Sequence, residues 1–217
     1  MTETTRWWWI RHAPVIDHAG QIYGQDDPAC DCSDRATFRA LAGLLPENAV
    51  WVTSHLQRAG HTAASIIEHL AEGTAPIPIV ERDLAEQHFG HWQGLTHEAL
   101  AARRSGAWHR FWLAPAEEAP PGGESFVQMI ERVSAAVRRL SAEHAGRDIV
   151  AVTHGGTIRA ALALALELDP ERALAIAIDN CALTRLDHIA GPAGSHAAER
   201  DGVWHVRLVN AAPRAFS

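Results

Sequence analysis

Five residues with side chains suited to handling phosphate follow apolar runs of the sequence: Arg11, His12, Arg58, Glu86 and His154. An arginine fork matches two phosphate oxygens at once. An imidazole can attack phosphorus or donate a hydrogen bond to a phosphate oxygen, and a carboxylic acid can give a proton to a leaving oxygen. Together these residue types indicate transfer of a phosphoryl group.

A glycine pair, Gly155 and Gly156, comes directly after His154. Glycine lets a backbone come close to a ligand, and the start of a helix favours anions. Gly155 is therefore a candidate substrate-binding residue. All 19 basic residues are Arg and none is Lys, which excludes a Walker lysine and Schiff-base chemistry.

The elements that must position these residues are read from hydrophobic periodicity. Short apolar runs predict strands at residues 7–10, 49–53, 77–80, 148–153, 183–189 and 203–209. Apolar residues at helical spacing predict helices at residues 34–45, 58–71, 98–104, 126–144 and 157–168. Strands that alternate with helices imply an α/β domain with a mostly parallel sheet. We expect one domain over residues 1–217, with residues 90–125 or so as an inserted lid.

The predicted strands also explain how distant residues can meet. Open α/β sheets bind ligands at the carboxyl ends of their strands. The two histidines, two arginines and the glutamate follow four different strands, so we expect all five side chains at one edge of the sheet.

The composition points away from several other classes of protein. The 217 residues carry a formal net charge of -7, without the basic stripe that nucleic-acid binding requires. The three cysteines are an odd number without zinc-site spacing, so we expect reduced thiols. The apolar run at residues 7–10 is too short for a signal peptide or a membrane span, and we expect a soluble, cytoplasmic protein.

Five blocks in this order resemble the histidine phosphatase superfamily, the phosphoglycerate mutase-like proteins. They are WWWIRHAP at 7–14, SHLQRAGHTA at 54–63, LAEQHFGHWQG at 84–94, GGESF at 122–126 and VTHGGTIRA at 152–160. The resemblance implies a three-layer sandwich with a mostly parallel central sheet flanked by helices. It also implies that His12 becomes phosphorylated while Arg11 and Arg58 hold the phosphoryl oxygens. Glu86 would then be the proton donor and His154 a stabiliser of the transferring group, with no metal or other cofactor.

The chain departs from the family pattern near the nucleophile. Ala13 stands where the family has a glycine, which is harmless only where the backbone conformation is ordinary. His18 stands where family members often place a phosphate-contacting asparagine, and we expect it to bind substrate. In the lid, Trp108 and Trp112 either stack on a substrate ring or pack in the core, whereas Arg103 and Arg104 are expected on a solvated helix face.

Several functions remain open. The sequence around Glu86 looks most like the α-ribazole phosphatase branch. The first hypothesis is therefore a metal-independent phosphomonoesterase that acts on a small-molecule phosphate ester. α-Ribazole 5'-phosphate is one candidate substrate. The alternatives are a cofactor-dependent phosphoglycerate mutase and a catalytically idle binding or regulatory member. A metal pair at His88 and His91 is a further alternative. We expect no nucleic-acid or membrane partner, and a homodimer stays open.

Overall fold

A six-stranded sheet organises the part of the chain that the computed structural model describes, residues 3–71, 73, 75–191 and 202–216. Its strands are β1 (Thr4–Arg11), β2 (Val50–Thr53), β3 (Ile79–Val80), β4 (Asp148–Thr153), β5 (Leu183–Ile189) and β6 (Val203–Ala211). The α-helices are α1 (Arg35–Leu44), α2 (Gln57–Ile67), α3 (His97–Arg103), α4 (Phe126–Glu143), α5 (Gly155–Leu166) and α6 (Pro170–Ala173).

The strand order β3-β2-β4-β1-β5-β6 places β1 and β4 at the centre of the sheet. The pairs β2–β3, β2–β4 and β1–β4 are parallel, whereas β1–β5 and β5–β6 are antiparallel. The register sets Arg11 opposite Thr153 and Thr53 opposite Val152. The ends of β1, β2 and β4 therefore lie at one edge, where the next residue of each strand emerges.

Helices cover both faces of the sheet. Trp7 and Trp9 stack with ring centroids 4.8 Å apart and belong to the core beneath α4 and α5. Ile10 belongs to the opposite core, together with Phe38 and Leu41 of α1. Successive strand residues point to opposite faces, so one apolar strand supplies both cores. The predicted sandwich with a mostly parallel central sheet is confirmed.

Most predicted elements are present, with shifted boundaries. α5 begins at Gly155 rather than at residue 157, so both glycines belong to its first turn. It ends at Leu166 because Glu167 adopts the left-handed conformation, with φ of 49°. β3 contains two residues instead of the four predicted, and the short α6 was not predicted. Among the described residues, none of the helices is long and apolar enough to cross a membrane.

The segment predicted as a lid has a small core of its own. Trp92, Leu100 and Leu113 from this segment pack with Ile22 and Phe89. This cluster is separate from the two cores on the sheet faces. The lid therefore sits over the loop that follows β1.

Candidate active site

His12 follows the last residue of β1 and is buried, with 1% of its surface exposed. Its backbone N–H donates to the Thr153 carbonyl of β4 at 2.8 Å. Its Nδ1 lies 2.7 Å from the carbonyl oxygen of Ala13. Because a carbonyl only accepts hydrogen bonds, Nδ1 carries the proton, and Nε2, which has no partner, keeps its lone pair. The imidazole can therefore act as a nucleophile through Nε2.

The surroundings of His12 keep its imidazole neutral. Its pKa is lowered to about 3, first by burial and then by the positive charge of Arg58. Arg11 acts in the same direction, and the hydrogen bond with Ala13 opposes them. A neutral ring needs no deprotonation before it attacks phosphorus.

His154 follows β4, and its ring centroid lies 5.1 Å from that of His12. Its Nε2 lies 2.7 Å from Oγ of Ser54, the residue that follows β2. Its Nδ1 is buried without a partner. Burial, followed by electrostatic coupling to the His12 ring and by the positive charge of Arg58, holds the pKa of His154 well below its usual range. Each of the two rings thus keeps one nitrogen free for a ligand.

Arg58, in the first turn of α2, is a fully buried cation. Its guanidinium donates to the carbonyls of Gly24 and Asp26 at 2.5 Å and 2.8 Å, and it lies 5.0 Å from the centroid of the Tyr23 ring. Burial lowers the pKa of Arg58, and the carboxylate of Glu86 opposes that shift. The loop after β1 therefore fixes a positive charge inside the site.

Arg11 is the last residue of β1. It donates to the carbonyl of Ile178 at 2.6 Å, and its Nε is buried without a partner. A Cβ added to Gly155 would lie 3.5 Å from that Nε. Arg11 and the first residue of α5 are therefore close enough to hold the same anion.

Glu86 enters the site from the loop after β3 and is almost completely buried. Its carboxylate accepts hydrogen bonds from the backbone N–H groups of Gln87 at 2.9 Å and Gly156 at 3.3 Å. A Cβ on Gly156 would lie 2.2 Å from Oε1 of Glu86, so a larger residue at this position would force the Glu86 carboxylate to move. The loop is held by Arg132 of α4, which donates to the Ala85 and Glu86 carbonyls at 3.1 Å each.

A cavity of about 740 Å³ opens beside these residues, and Arg11 and Glu86 line it. His18, Trp108 and Trp112 line the same cavity. The structure therefore brings three of the residues predicted to bind substrate into one space with Arg11 and Glu86, whereas His12, Arg58, His154 and Gly155 are not among the residues that line it.

His18, Trp108 and Trp112 differ in how firmly neighbouring residues hold their side chains. His18 meets the ring of Tyr23 edge-on at 5.6 Å, and its Nδ1 has no partner. Trp112 donates to Gln87 at 2.8 Å, and the guanidinium of Arg159 lies 4.7 Å from its ring centroid. Trp108 is 45% exposed. Trp112 is thus a fixed wall, while Trp108 offers an open ring face.

The prediction that Arg104 lies on a solvated helix face is wrong. Its side chain is 5% exposed and makes a two-pronged ion pair with Glu118. Its guanidinium also lies 5.3 Å from the Trp92 ring centroid and 5.0 Å from that of Trp108. α3 ends at Arg103, which is exposed as predicted, so the next residue turns back into the lid.

The alanine in place of the family glycine fits the backbone. Ala13 is not among the described residues with positive φ, and it is buried. Its N–H donates to Oγ1 of Thr62 at 2.8 Å. The loop after His12 therefore needs no left-handed residue at this position.

The sequence analysis did not identify three side chains that support the site. Ser54 contacts His154, Arg132 holds the loop that carries Glu86, and Arg159 lies against Trp112. Ser54 directly follows a strand, so the rule that selected His12 applies to it as well. Arg159 lies one turn after Gly155 on α5, a spacing that places the two on the same helix face. Arg132 lies in the middle of α4, and nothing in the local sequence distinguishes it.

The geometry gives little support to a metal site at His88 and His91. In the described part of the chain, no three His, Cys, Asp or Glu side chains are grouped so that they could hold a metal ion. Nδ1 of His88 accepts a hydrogen bond from the N–H of Gly90 at 3.3 Å, and His91 is exposed.

Sequence comparison finds similarity to known proteins over most of this chain. A family model for the histidine phosphatase superfamily, branch 1, matches residues 7–195. A bifunctional protein of Mycobacterium tuberculosis is 32% identical over 210 residues, 95% of this chain and 54% of that protein. The chain thus spans about half the length of this relative. The 2,3-bisphosphoglycerate-dependent phosphoglycerate mutase 2 of Gloeobacter violaceus is 33% identical over 186 residues, 83% of this chain and 84% of the mutase.

Phosphatases occur among the relatives in sequence and structure. Glucosyl-3-phosphoglycerate phosphatase of M. tuberculosis is 33% identical over 220 residues, 96% of this chain and 95% of that enzyme. The native structure of the mycobacterial enzyme superposes with a TM-score of 0.79 at 29% identity, over 96% and 99% of the two chains. The α-ribazole phosphatase of Shigella flexneri, at 22% identity and a TM-score of 0.73 over 95% and 96% of the two chains, shares the fold. The chain belongs to the histidine phosphatase superfamily.

Proposed function

We propose that this chain is a phosphomonoesterase that hydrolyses a small-molecule phosphate ester through a phosphohistidine at His12, without a metal ion. The observation that carries the proposal is the buried imidazole, whose Nδ1 is held by the Ala13 carbonyl while its Nε2 is free. The pKa of about 3 keeps this ring neutral at physiological pH, so Nε2 presents a lone pair to phosphorus.

In the first step, Nε2 of His12 attacks phosphorus, and the N–P bond forms as the ester P–O bond breaks. Glu86 in its acid form gives its proton to the leaving oxygen, and the alcohol departs. Arg11 and Arg58 donate to the non-bridging oxygens, whose charge they stabilise in a site shielded from water. The N-terminus of α5 at Gly155 adds a backbone donor.

In the second step, water attacks the phosphohistidine. Glu86, now a carboxylate, takes the proton of the attacking water, the new P–O bond forms, and the N–P bond breaks. Inorganic phosphate leaves and His12 is neutral again. The free nitrogen of His154 stabilises the group in transit. The two arginines thus supply the positive charge that Mg²⁺ supplies in other phosphoryl-transfer enzymes.

The cavity indicates what kind of alcohol the substrate carries. Its volume of about 740 Å³ exceeds the needs of a phosphate group, and Trp108, Phe111 and Trp112 line it. A bulky alcohol with a ring suits such a wall, and α-ribazole 5'-phosphate is one candidate. Arg110 lines the same cavity and can pair with an acid group, so glucosyl-3-phosphoglycerate, the substrate in a relative's name, is the other candidate.

The proposal is tested by phosphate release from a panel of monoesters, each with and without EDTA. Wild-type protein quenched during turnover should carry phosphate that is labile in acid and stable in base. His12→Ala should abolish both turnover and this label, whereas His91→Ala, which changes an exposed histidine outside the cavity, should leave both intact. Turnover by His12→Ala would overturn the phosphohistidine, and loss of activity in EDTA would overturn the metal-free mechanism.

A further inference from the structure

The peptide group between His12 and Ala13 is held at both of its polar atoms by side chains from distant parts of the chain. The carbonyl oxygen of His12 accepts from Nδ2 of Asn180 at 2.7 Å. The N–H of Ala13 donates to Oγ1 of Thr62 at 2.8 Å. Thr62 belongs to α2, and Asn180 lies in the turn before β5.

This peptide group lies where the sheet no longer supports the chain. β1 ends at Arg11, and the last hydrogen bond to β4 uses the N–H of His12. The next carbonyl, that of Ala13, holds Nδ1 of the imidazole. The His12–Ala13 peptide therefore joins the residue that carries the imidazole to the residue whose carbonyl orients it.

The hydroxyl of Thr62 is fully buried, and both of its hydrogen-bonding roles are used. It donates to the Arg58 carbonyl at 2.7 Å and accepts from Ala13. A hydroxyl has a single proton to donate, so this assignment of roles follows from the two partners. Thr62 thereby ties the backbone of the nucleophile to that of a phosphate-binding arginine.

Asn180 belongs to a turn that also grips the end of β1. The N–H of Cys181 donates to the Arg11 carbonyl at 2.9 Å, and the Ile178 carbonyl accepts from the Arg11 guanidinium at 2.6 Å. The turn is thus already anchored to β1, and the side chain of Asn180 adds one further contact, to His12.

We propose that Thr62 and Asn180 are positioning residues that hold the imidazole of His12 in line for attack. This inference rests on the proposed role of His12 as the nucleophile. Neither Thr62 nor Asn180 lines the cavity beside Arg11 and Glu86, so their loss should slow phosphorylation of His12 and leave phosphate affinity largely unchanged. A misplacement of about 1 Å can lower a rate on the order of 100-fold.

A matched pair of variants at Thr62 separates positioning from packing. Thr62→Val keeps the shape and loses the hydroxyl, and Thr62→Ser keeps the hydroxyl and loses a methyl group. In rapid-quench experiments, we expect Thr62→Val to form phosphohistidine at least ~10-fold more slowly, with an inhibition constant for vanadate within about two-fold of wild type. Thr62→Ser should stay near the wild-type rate. Equal rates for Thr62→Val and wild type, or a Thr62→Ser variant as slow as Thr62→Val, would overturn the role of Thr62.

Asn180 has a natural control in Asn210, which bonds the same turn at Asp179 without touching His12. Asn180→Ala should slow phosphohistidine formation at least ~10-fold, again with vanadate inhibition nearly unchanged. Asn210→Gly, which suits the φ of 53° at that position, should phosphorylate at the wild-type rate. If both variants slow equally, the turn acts only as structure and the role of Asn180 is overturned. A wild-type protein that forms no phosphohistidine would overturn the proposed function itself.

Discussion

His12 and His154 are neutral rings in a pocket that we propose binds an anion, and burial is the first cause of their low pKa values. The unfolded chain takes up protons on these residues near pH 6.5, whereas folded His12 does so only near its pKa of about 3. Between these pH values the unfolded state binds more protons than the folded state. Stability contributed by this pair therefore rises with pH and is lost as the pH falls.

We expect the free energy of unfolding to fall as the pH is lowered from about 7 to about 4, with each such histidine contributing up to about 1.4 kcal/mol per pH unit. His12→Gln removes one of the two groups and should make the dependence less steep. Urea denaturation of both proteins at several pH values measures the difference. Parallel curves for variant and wild type would show that His12 takes up protons equally in both states.

The role of Glu86 as a proton donor can be tested by comparing esters with different leaving groups. Glu86→Gln keeps the size of the side chain but cannot give a proton to the departing oxygen. We expect kcat for an alkyl phosphate to fall roughly 10²- to 10⁴-fold, with a much smaller loss for p-nitrophenyl phosphate, whose leaving group needs little protonation. The exposed Glu117→Gln is the control. Equal losses on both esters would argue against an acid role.

At the scale of elements, Arg104 stabilises the segment predicted as a lid. Arg104 joins the end of α3 to Glu118 and lies against the rings of Trp92 and Trp108. Trp108 is an exposed aromatic residue of the cavity wall, and we expect its position to depend on this contact. The lid should therefore affect binding of the alcohol more than transfer of the phosphoryl group.

Arg104→Gln should raise KM for a bulky ring-bearing ester roughly five-fold, the equivalent of about 1 kcal/mol from a lost cation–π contact. KM for a small alkyl phosphate should change little, because it does not reach Trp108. Arg103→Gln, one residue earlier and exposed, provides the matched control. Steady-state kinetics measure KM for the two esters. An equal rise in KM for both would contradict a role of the lid in specificity.

Local sequence predicted most of the elements because their signals are local. Strand β4 and helix α4 are marked by apolar runs and helical spacing, and their predicted limits agree with the structure to within a residue. The start of α5 was placed two residues late because its glycine pair was interpreted as a turn. Contacts between distant residues carry no such signal: Asn180 and His12 are separated by 168 positions. The supports of the site therefore emerge only from the fold.

At the scale of the whole molecule, the charge distribution favours water as the phosphoryl acceptor. A mutase must bind a second acidic group, and the chain has no Lys. Residues 108–121 contain one arginine, Arg110, together with Glu117 and Glu118. The nearby Arg104 is already paired with Glu118. The lid thus has few cations for a bisphosphate.

With 3-phosphoglycerate and 2,3-bisphosphoglycerate, we expect any phosphate release to exceed formation of 2-phosphoglycerate by at least ~10-fold. A coupled enolase assay follows the isomer, and a phosphate assay run in parallel follows hydrolysis. The monoester panel without the bisphosphate is the control for intact enzyme. Isomerisation faster than release would place this chain with the mutases.

The central position of β1 has a consequence for the order of events during synthesis. His12 leaves the ribosome before its hydrogen-bonding partners Thr153 and Asn180, which follow more than a hundred residues later. Until β4 and the turn before β5 have emerged, His12 remains a hydrated histidine on an unpaired strand. Pairing between such remote segments is slow, on the order of milliseconds to seconds. The proposed active site therefore cannot assemble until Asn180 has been translated, and we expect activity to appear abruptly rather than in proportion to length.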